Sequence, residues 1–465
     1  MTRGPWHEQV DLIVVGASVG GLAAAIIAAD RGCRTIVVER GKELGGGAGT
    51  EAEVLPAAGS RFQQAAGIDD TPTRLADDIL AATRHHAEPE LAAALAGEGA
   101  PLVAWLADRC GSAIELLPKY AGAGHTVPRL HAPGERGGAS LVADLARAAT
   151  RHSHVNVRHG ATIERVIVDD AGAVQGLAVR GDRRGASQAL GGRVLFASGG
   201  FVADDALVAE HCAAVAALPY QGTSRATGDA LRFGREVGAA TRRLGSCQVT
   251  PFLAAPGQLV VTAPLVELGA ILVNQAGHRF VDETGESLAL ATAVRAQPGR
   301  MAYLLFDERV AAAARAAEPF FGRVVLPRTG RRGATVEDVA KQFELNADGL
   351  RLTIETFNGN LELGGDPFGR ERFDAALEPP FHAIRVTGAR VRTLGGLAVD
   401  SSARVLNAEG QPIPGLYAAG GAAAGLGSDA CEGLLTGADT LAALGLARLA
   451  ALDVVKQAAR PEPDQ

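Results

Sequence analysis

VDLIVVGASVGGLAAAIIAADRGCRTIVVER, residues Val10 to Arg40, is the stretch that decides the fold. An apolar run of strand length leads into a glycine turn at Gly16 to Gly21. An alanine-rich helix follows, and a second apolar run ends at Glu39. Strand, glycine turn, helix, strand and acid in that order open a doubly wound α/β domain built to hold a dinucleotide. Gly16 allows the tight turn out of the strand, and Gly21 lets the helix pack on it. The helix start presents backbone amides to a pyrophosphate. Ser18 replaces the middle glycine of the pattern; a serine there still permits close approach and adds a hydroxyl donor. Glu39, 23 positions after Gly16, is placed to accept hydrogen bonds from ribose hydroxyls.

With 465 residues the chain suits two domains, one of them split in sequence. Its 47% hydrophobic content and mean hydropathy of +0.11 fit a soluble enzyme. A net charge of −7 argues against a nucleic-acid partner, because no basic cluster exists to neutralise phosphates. The run Arg328 to Arg332 reads as a solvated loop. The most apolar stretches are shorter than a membrane span or broken by glycine, so no transmembrane helix is expected. The first strand starts by Val10, which leaves no room for a signal peptide, and a cytoplasmic location is expected. Five cysteines, Cys33, Cys110, Cys212, Cys247 and Cys431, show no metal-ligand or haem spacing, and no metal site is expected.

Further along, Gly45, Gly46 and Gly47 lie in a glycine loop where bare backbone can approach a flat or anionic ligand. Alanine-rich helical patterns fill much of 71–108. Residues 155–180 alternate apolar and polar, with Asp170-Ala171-Gly172 as a hairpin turn. A strand at 193–197 runs into Ser198, Gly199 and Gly200, at the end of a strand where open parallel sheets bind ligands. Between 241 and 382 prolines recur and the pattern loosens, as in a separate substrate-covering domain. Strands and glycine turns return from 383, a final helix spans about 434–455, and a proline-containing tail from 459 reads as disordered.

These motifs resemble the flavoprotein family of fumarate reductase and succinate dehydrogenase, which also includes 3-ketosteroid dehydrogenases and tricarballylate dehydrogenase. The supporting blocks run in family order: VVGASVGG at Val14, VVER at Val37, LGGGA at Leu44, FASGGF at Phe196, ATGDAL at Ala226, GAILVNQAGHRFVDE at Gly269, YLLFDE at Tyr303, TLGGLAVD at Thr393 and IPGLYAAGG at Ile413. The resemblance implies an α/β fold, a Rossmann-like FAD-binding domain (1–240 and 383–465) with an inserted α+β capping domain (241–382). It implies FAD held by Gly16, Ser18, Gly20, Gly21, Glu39, Arg40, Gly45 to Gly47, Ser198 to Gly200, Gly228, Asp229, Gly420 and Gly421. Gly421 stands where the family usually carries a glutamate. No histidine lies between Val10 and Arg84, where covalent members carry their flavin-linking histidine, so noncovalent FAD is expected.

Carried over to this chain, the family's catalytic set is largely replaced. Thr250 takes the place of the histidine in a His-Pro-Thr block, and Ala263 and Val266 stand where the proton-relay Glu and Arg would be. Ser287 replaces the arginine acid, Arg392 the substrate-binding histidine and Cys431 the clamping arginine. Dicarboxylate reduction needs two cationic clamps and an acid, so fumarate and succinate are not expected substrates. The ketosteroid tyrosines are not matched closely either. What remains is hydride transfer at flavin N5 to or from a C–C bond activated by a ketone or carboxylate. Arg392 is the expected electrophile and Glu432 a candidate base, with Cys431 and Thr250 in substrate-facing positions. Arg129 and His131, in the stretch GAGHTVPRLHAPGERGG with His125, are candidate acid or base groups. Two alternatives stand beside this reading: an amine or amino-acid oxidase, and a noncatalytic electron-transfer subunit. A small-molecule substrate is expected, and the electron acceptor stays open.

Overall fold

The computed structural model describes residues 6–46, 53–134, 137–181, 186–220, 222–262, 264–371, 375–429, 431 and 435–459. Gly47, Glu432, Ala263 and the tail from 460 therefore lie outside the described residues. Five strands run parallel in the order Pro412–Ala418, Ser187–Phe196, Glu8–Val15, Thr35–Glu39 and Val155–His159. Arg404–Leu406 joins one edge, and the hairpin Thr162–Val168 with Val174–Arg180 pairs onto Ser187–Phe196, giving eight strands. The unbroken burial of Leu12 to Val15 and of Ile36 to Val38 is what a parallel strand covered on both faces requires.

Val15 stands opposite Phe196, and Phe196 opposite Ala418, so three neighbouring strands end level. Each runs into a glycine turn: Gly16 to Gly21, Gly199-Gly200 and Gly420-Gly421. The sheet thereby gathers three segments that are far apart in sequence at its carboxyl edge, where open α/β sheets bind ligands. Gly16 has φ +98°, and a Cβ there would fall 2.6 Å from the Ala197 carbonyl oxygen. The helix Val19–Ala29 is buried along its whole length, packed against the final helix Ala438–Ala458.

A second, antiparallel sheet runs in the order Leu259–Val260, Cys247–Ala254, Phe381–Thr393, Ala302–Asp307 and Ile271–Val273. Gly330–Gly333 also pairs with Phe381–Thr393. Helices Ser287–Ala296, Glu308–Ala317, Val336–Phe343 and Ala347–Leu363 accompany this sheet. The strand Phe381–Thr393 belongs to it throughout, so the sequence boundary at 382/383 cuts through a strand. Nine of its first ten residues are buried, because other strands flank it, and nothing in the pattern marks where one layer ends. The basic run expected as a loop contains the edge strand Gly330–Gly333, with Arg331 and Arg332 exposed.

Among the described residues one helix, Pro89–Asp108, is long and apolar enough to span a membrane by length and composition. Its buried positions are Leu91, Ala92, Leu95, Ala96, Gly99, Leu102, Val103 and Leu106, the spacing of an amphipathic helix with one face on a core. Glu98 on this helix pairs with Arg448 of the final helix.

Arg129 and His131, expected as candidate acid or base groups, are instead buried structural residues, which corrects that expectation. Leu130–Pro133 is a buried strand. Arg129 is fully buried, with Nε donating to Asp70 at 2.7 Å and a second ion pair to Asp78. His131 is also fully buried: Nδ1 meets the Arg129 carbonyl at 2.9 Å and Nε2 the Ser60 hydroxyl at 2.9 Å. The carbonyl can only accept, so Nδ1 carries the proton and Nε2 accepts. Burial pushes the His131 pKa down to about 4, and that of His125 likewise to about 4.

Two predictions follow from these contacts. A Cβ on Gly21 would fall 2.1 Å from the Gly16 carbonyl oxygen, so Gly21→Ala should destabilise the protein by about 1–3 kcal/mol, read as a lower thermal midpoint; an unchanged midpoint contradicts this packing. A histidine with a depressed folded pKa favours the fold above its unfolded pKa, and that contribution is lost as pH falls toward 4. Between roughly pH 7 and pH 4.5, His131 should cost about 2 kcal/mol of urea-unfolding stability. His131→Gln should flatten that slope, and an equal slope in both proteins contradicts the burial argument.

Candidate active site

A cavity of about 860 Å³ opens where the glycine turns of the first sheet meet the end of the long strand Phe381–Thr393 of the second. Ser18, Gly45, Gly199, Gly200, Gly420 and Gly421 lie on its wall. A Cβ on Gly200 would fall 1.9 Å from Thr393 Oγ1, and one on Gly421 would fall 2.7 Å from the Gly200 amide nitrogen. The two glycine pairs therefore abut, while a Cβ on Gly199 or Gly420 would meet no atom beyond its chain neighbours closer than 3.6 Å, so the backbone of these two turns is bare on the cavity wall. The Ser198 hydroxyl beside them is buried with no partner among the described residues. A cradle that a side chain would fill, together with an orphaned hydroxyl, fits a pyrophosphate and a flat ring system.

Ser18 plays a different part from the one expected. Its hydroxyl donates to the Ala197 carbonyl at 2.9 Å and accepts from the Gly21 amide at 3.2 Å. It is the N-cap of the helix and a tie to the neighbouring strand, so its proton is already committed.

Glu39 is buried, with Oε2 accepting from the Ala17 amide at 2.9 Å and Oε1 from the Gly41 amide at 2.6 Å. Two amides fix the carboxylate at the end of its strand and leave lone pairs for ribose hydroxyls. Arg40 donates to Thr227 at 3.1 Å and pairs with Asp229. This ties the end of the second strand to the turn at Gly228, where φ is +77°. Gly16, Gly20 and Gly21 set turn and packing rather than the cavity wall, with Gly20 against Ala443. Gly46, with φ +62°, follows Gly45 in the same loop.

The capping side brings Arg392 and Thr250 to the same cavity, with Cys431 from the segment before the final helix. Arg392 pairs with Asp439 in the first turn of that helix. The Thr250 hydroxyl accepts from the Phe252 amide at 3.0 Å. Cys431 is buried beside two other thiols: contacts with Cys212 and Cys431 push the Cys247 thiol far up. Arg129 and His131 are not on this wall.

Arg390, Tyr120, Tyr220 and Glu318 are among the cavity residues that the sequence did not single out. Arg390 lies two residues before Arg392; it pairs with Asp205, and its buried Nε has no partner among the described residues. The strand period of two is a signal that could have found it. Tyr120, Tyr220 and Glu318 also line the cavity, and only the folded chain brings them together. Electrostatically, each arginine on the wall among the described residues has a carboxylate partner: Arg84 with Glu286 at 3.3 Å, Arg390 with Asp205 and Arg392 with Asp439.

The family described as FAD binding domain matches residues 11–433. The cytochrome-type fumarate reductase of Shewanella frigidimarina is 30% identical over 440 residues, covering 92% of this chain and 76% of that protein. A 4-oxocyclohexanecarboxylate 2-dehydrogenase of Sinomonas cyclohexanicum is 28% identical over 523 residues, covering 90% of this chain and 88% of that one. Among solved structures, the open conformation of a flavocytochrome c3 fumarate reductase superposes with a TM-score of 0.83 at 26% identity, over 98% of this chain and 80% of that one. The bare-glycine cradle and a match that runs nearly end to end agree, and the chain belongs to the FAD-dependent oxidoreductase family of the fumarate reductase flavoproteins.

Proposed function

We propose that this chain acts on a C–C bond next to a ketone, by α,β-dehydrogenation or the reverse ene reduction, and that it does not act on fumarate or succinate. The observation that carries this reading is the cancellation of charge on the wall, where Arg84, Arg390 and Arg392 each face a carboxylate. A dicarboxylate needs two cations whose charge is not already spent. A ketone needs only oriented donors for the oxygen that gains negative charge. When bound, FAD supplies hydride exchange at N5.

The Arg392 guanidinium is held by its ion pair with Asp439 in one orientation on the cavity wall, next to Thr393 and near Gly200. In this reading it polarises the ketone. Glu432, which follows Cys431 in sequence, takes the α proton during dehydrogenation and returns it in the other direction. Thr250 and Cys431 shape the wall. The Sinomonas relative, named for a dehydrogenation of a cyclic ketone, supports the same bond class.

A second reading has one observation in its favour. Glu53, Glu267, Glu283, Glu286, Glu318 and Asp439 on the described wall outnumber the three arginines, which suits a cationic amine. Peroxide release with an amine substrate would favour it.

The test is anaerobic single-turnover reduction of the flavin by cyclohexanone, 1,4-cyclohexanedione, 4-oxocyclohexanecarboxylate, a 3-ketosteroid and, for comparison, succinate. At least one ketone should bleach the flavin, and Arg392→Ala should slow that step by about 100-fold or more. An unchanged rate sinks the role of Arg392, and bleaching by succinate sinks the substrate class.

A further inference from the structure

The capping side of the cavity holds a buried acid that the cofactor cradle and the Arg392 end leave unused. Glu318 caps the carboxyl end of the helix Glu308–Ala317, is only 3% exposed, and shares the cavity wall with Thr262 and Tyr120. The Thr262 hydroxyl donates to Oε1 at 2.5 Å. Oε2 is buried with no partner among the described residues. An ionised carboxylate in that position would leave a buried charge uncompensated.

Its charged surroundings offer no relief. Arg315 and Arg323, on the helical turns either side, are engaged by Glu308 at 2.7 Å and Glu115 at 3.6 Å. The nearby ionisable groups on the wall are Glu267 and Tyr120. Burial, then Glu267 and Glu318, keep the Tyr120 phenol protonated. Burial raises the Glu318 pKa to about 7, against a smaller opposing effect of Thr262. The carboxyl therefore keeps its proton below neutrality. Since Thr262 occupies Oε1, the free O–H donor stands on Oε2.

We propose that Glu318, steadied by Thr262, is a specificity-determining hydrogen-bond donor that anchors an uncharged accepting oxygen of the substrate, a carbonyl, and turns away a carboxylate at the same place. The donor satisfies the orphaned oxygen and the substrate together, whereas a carboxylate would bring a buried anion that no unpaired cation on the described wall balances. The inference rests on the reading of the cavity as the chamber for a ketone, and extends that reading to a second carbonyl on the substrate, apart from the one at Arg392.

Calorimetric titration of the FAD-loaded full chain with 1,4-cyclohexanedione and 4-oxocyclohexanecarboxylate tests it. At about pH 6 the dione should bind about tenfold more tightly than the carboxylate, and raising the pH to about 8.5 should weaken the dione by about tenfold as the donor is lost. Glu318→Gln keeps a donor that does not titrate, so its dione affinity should not change with pH. Thr262→Val should weaken the dione at pH 6 while leaving its pH response in place. The proposal is overturned if the dione does not bind, if Glu318→Gln shows the wild-type pH response, if the carboxylate binds as tightly as the dione, or if 4-aminocyclohexanone binds most tightly at the higher pH. This titration does not read flavin reduction. The expected binding pattern in a protein that no ketone reduces contradicts the proposed reaction alone, and ketone turnover with pH-independent dione binding contradicts the anchor alone.

Discussion

Thr393 and Gly200 meet with no space for a side-chain carbon between them, and the Thr393 hydroxyl accepts from the Phe201 amide at 3.2 Å. One side of this contact is the end of the long strand of the capping sheet, and the other is the glycine turn after the central strand of the nucleotide sheet. Everything on the cavity wall is referenced to it. Moving along the strand from Thr393 reaches Arg392 and Arg390; moving along the first sheet from Gly200 reaches Gly421 and the level turn at Gly16. A side chain at Gly200 would separate the two layers and open the chamber to water.

The pairing of the arginines has the same long-range character. Arg390 and Arg392 come from one strand, while Asp205 and Asp439 begin two different helices. Carboxylates are favourable in the first turn of a helix, so each aspartate is stabilised by its own helix while it orients a guanidinium. Ion pairs with solvent on at least one partner add little net stability. In the proposed reading their consequence is selectivity: the cations are held in place with their charge balanced, which would suit an uncharged electrophilic carbonyl better than a dianion.

The nucleotide half was largely legible because its signals are local. The order of strand, turn, helix and acid from Val10 to Glu39 lies within one segment, and the hairpin turn at Asp170-Ala171-Gly172 appears where alternation placed it. The rest depends on partners that sequence spacing does not show. Arg129 and His131 sit in a glycine- and proline-rich stretch, yet Asp70, Asp78 and Ser60, some sixty residues earlier, make them a buried network. The Ser18 hydroxyl reads from the sequence as a donor to a phosphate, but in the fold it donates to the Ala197 carbonyl, which lies 179 residues away in sequence. Glu318 follows an ordinary alanine-rich helix, and only burial beside Thr262 gives it chemical meaning.

The most direct test of the charge-cancellation argument runs the reaction in reverse. The protein would be reduced anaerobically, then mixed in a stopped-flow instrument with cyclohex-2-enone or with fumarate while the return of the oxidised flavin band is followed. The account predicts rapid reoxidation by the enone and none by fumarate beyond the spontaneous rate. Reoxidation by fumarate as fast as by the enone would contradict it, because the paired arginines would then still be able to clamp a dicarboxylate.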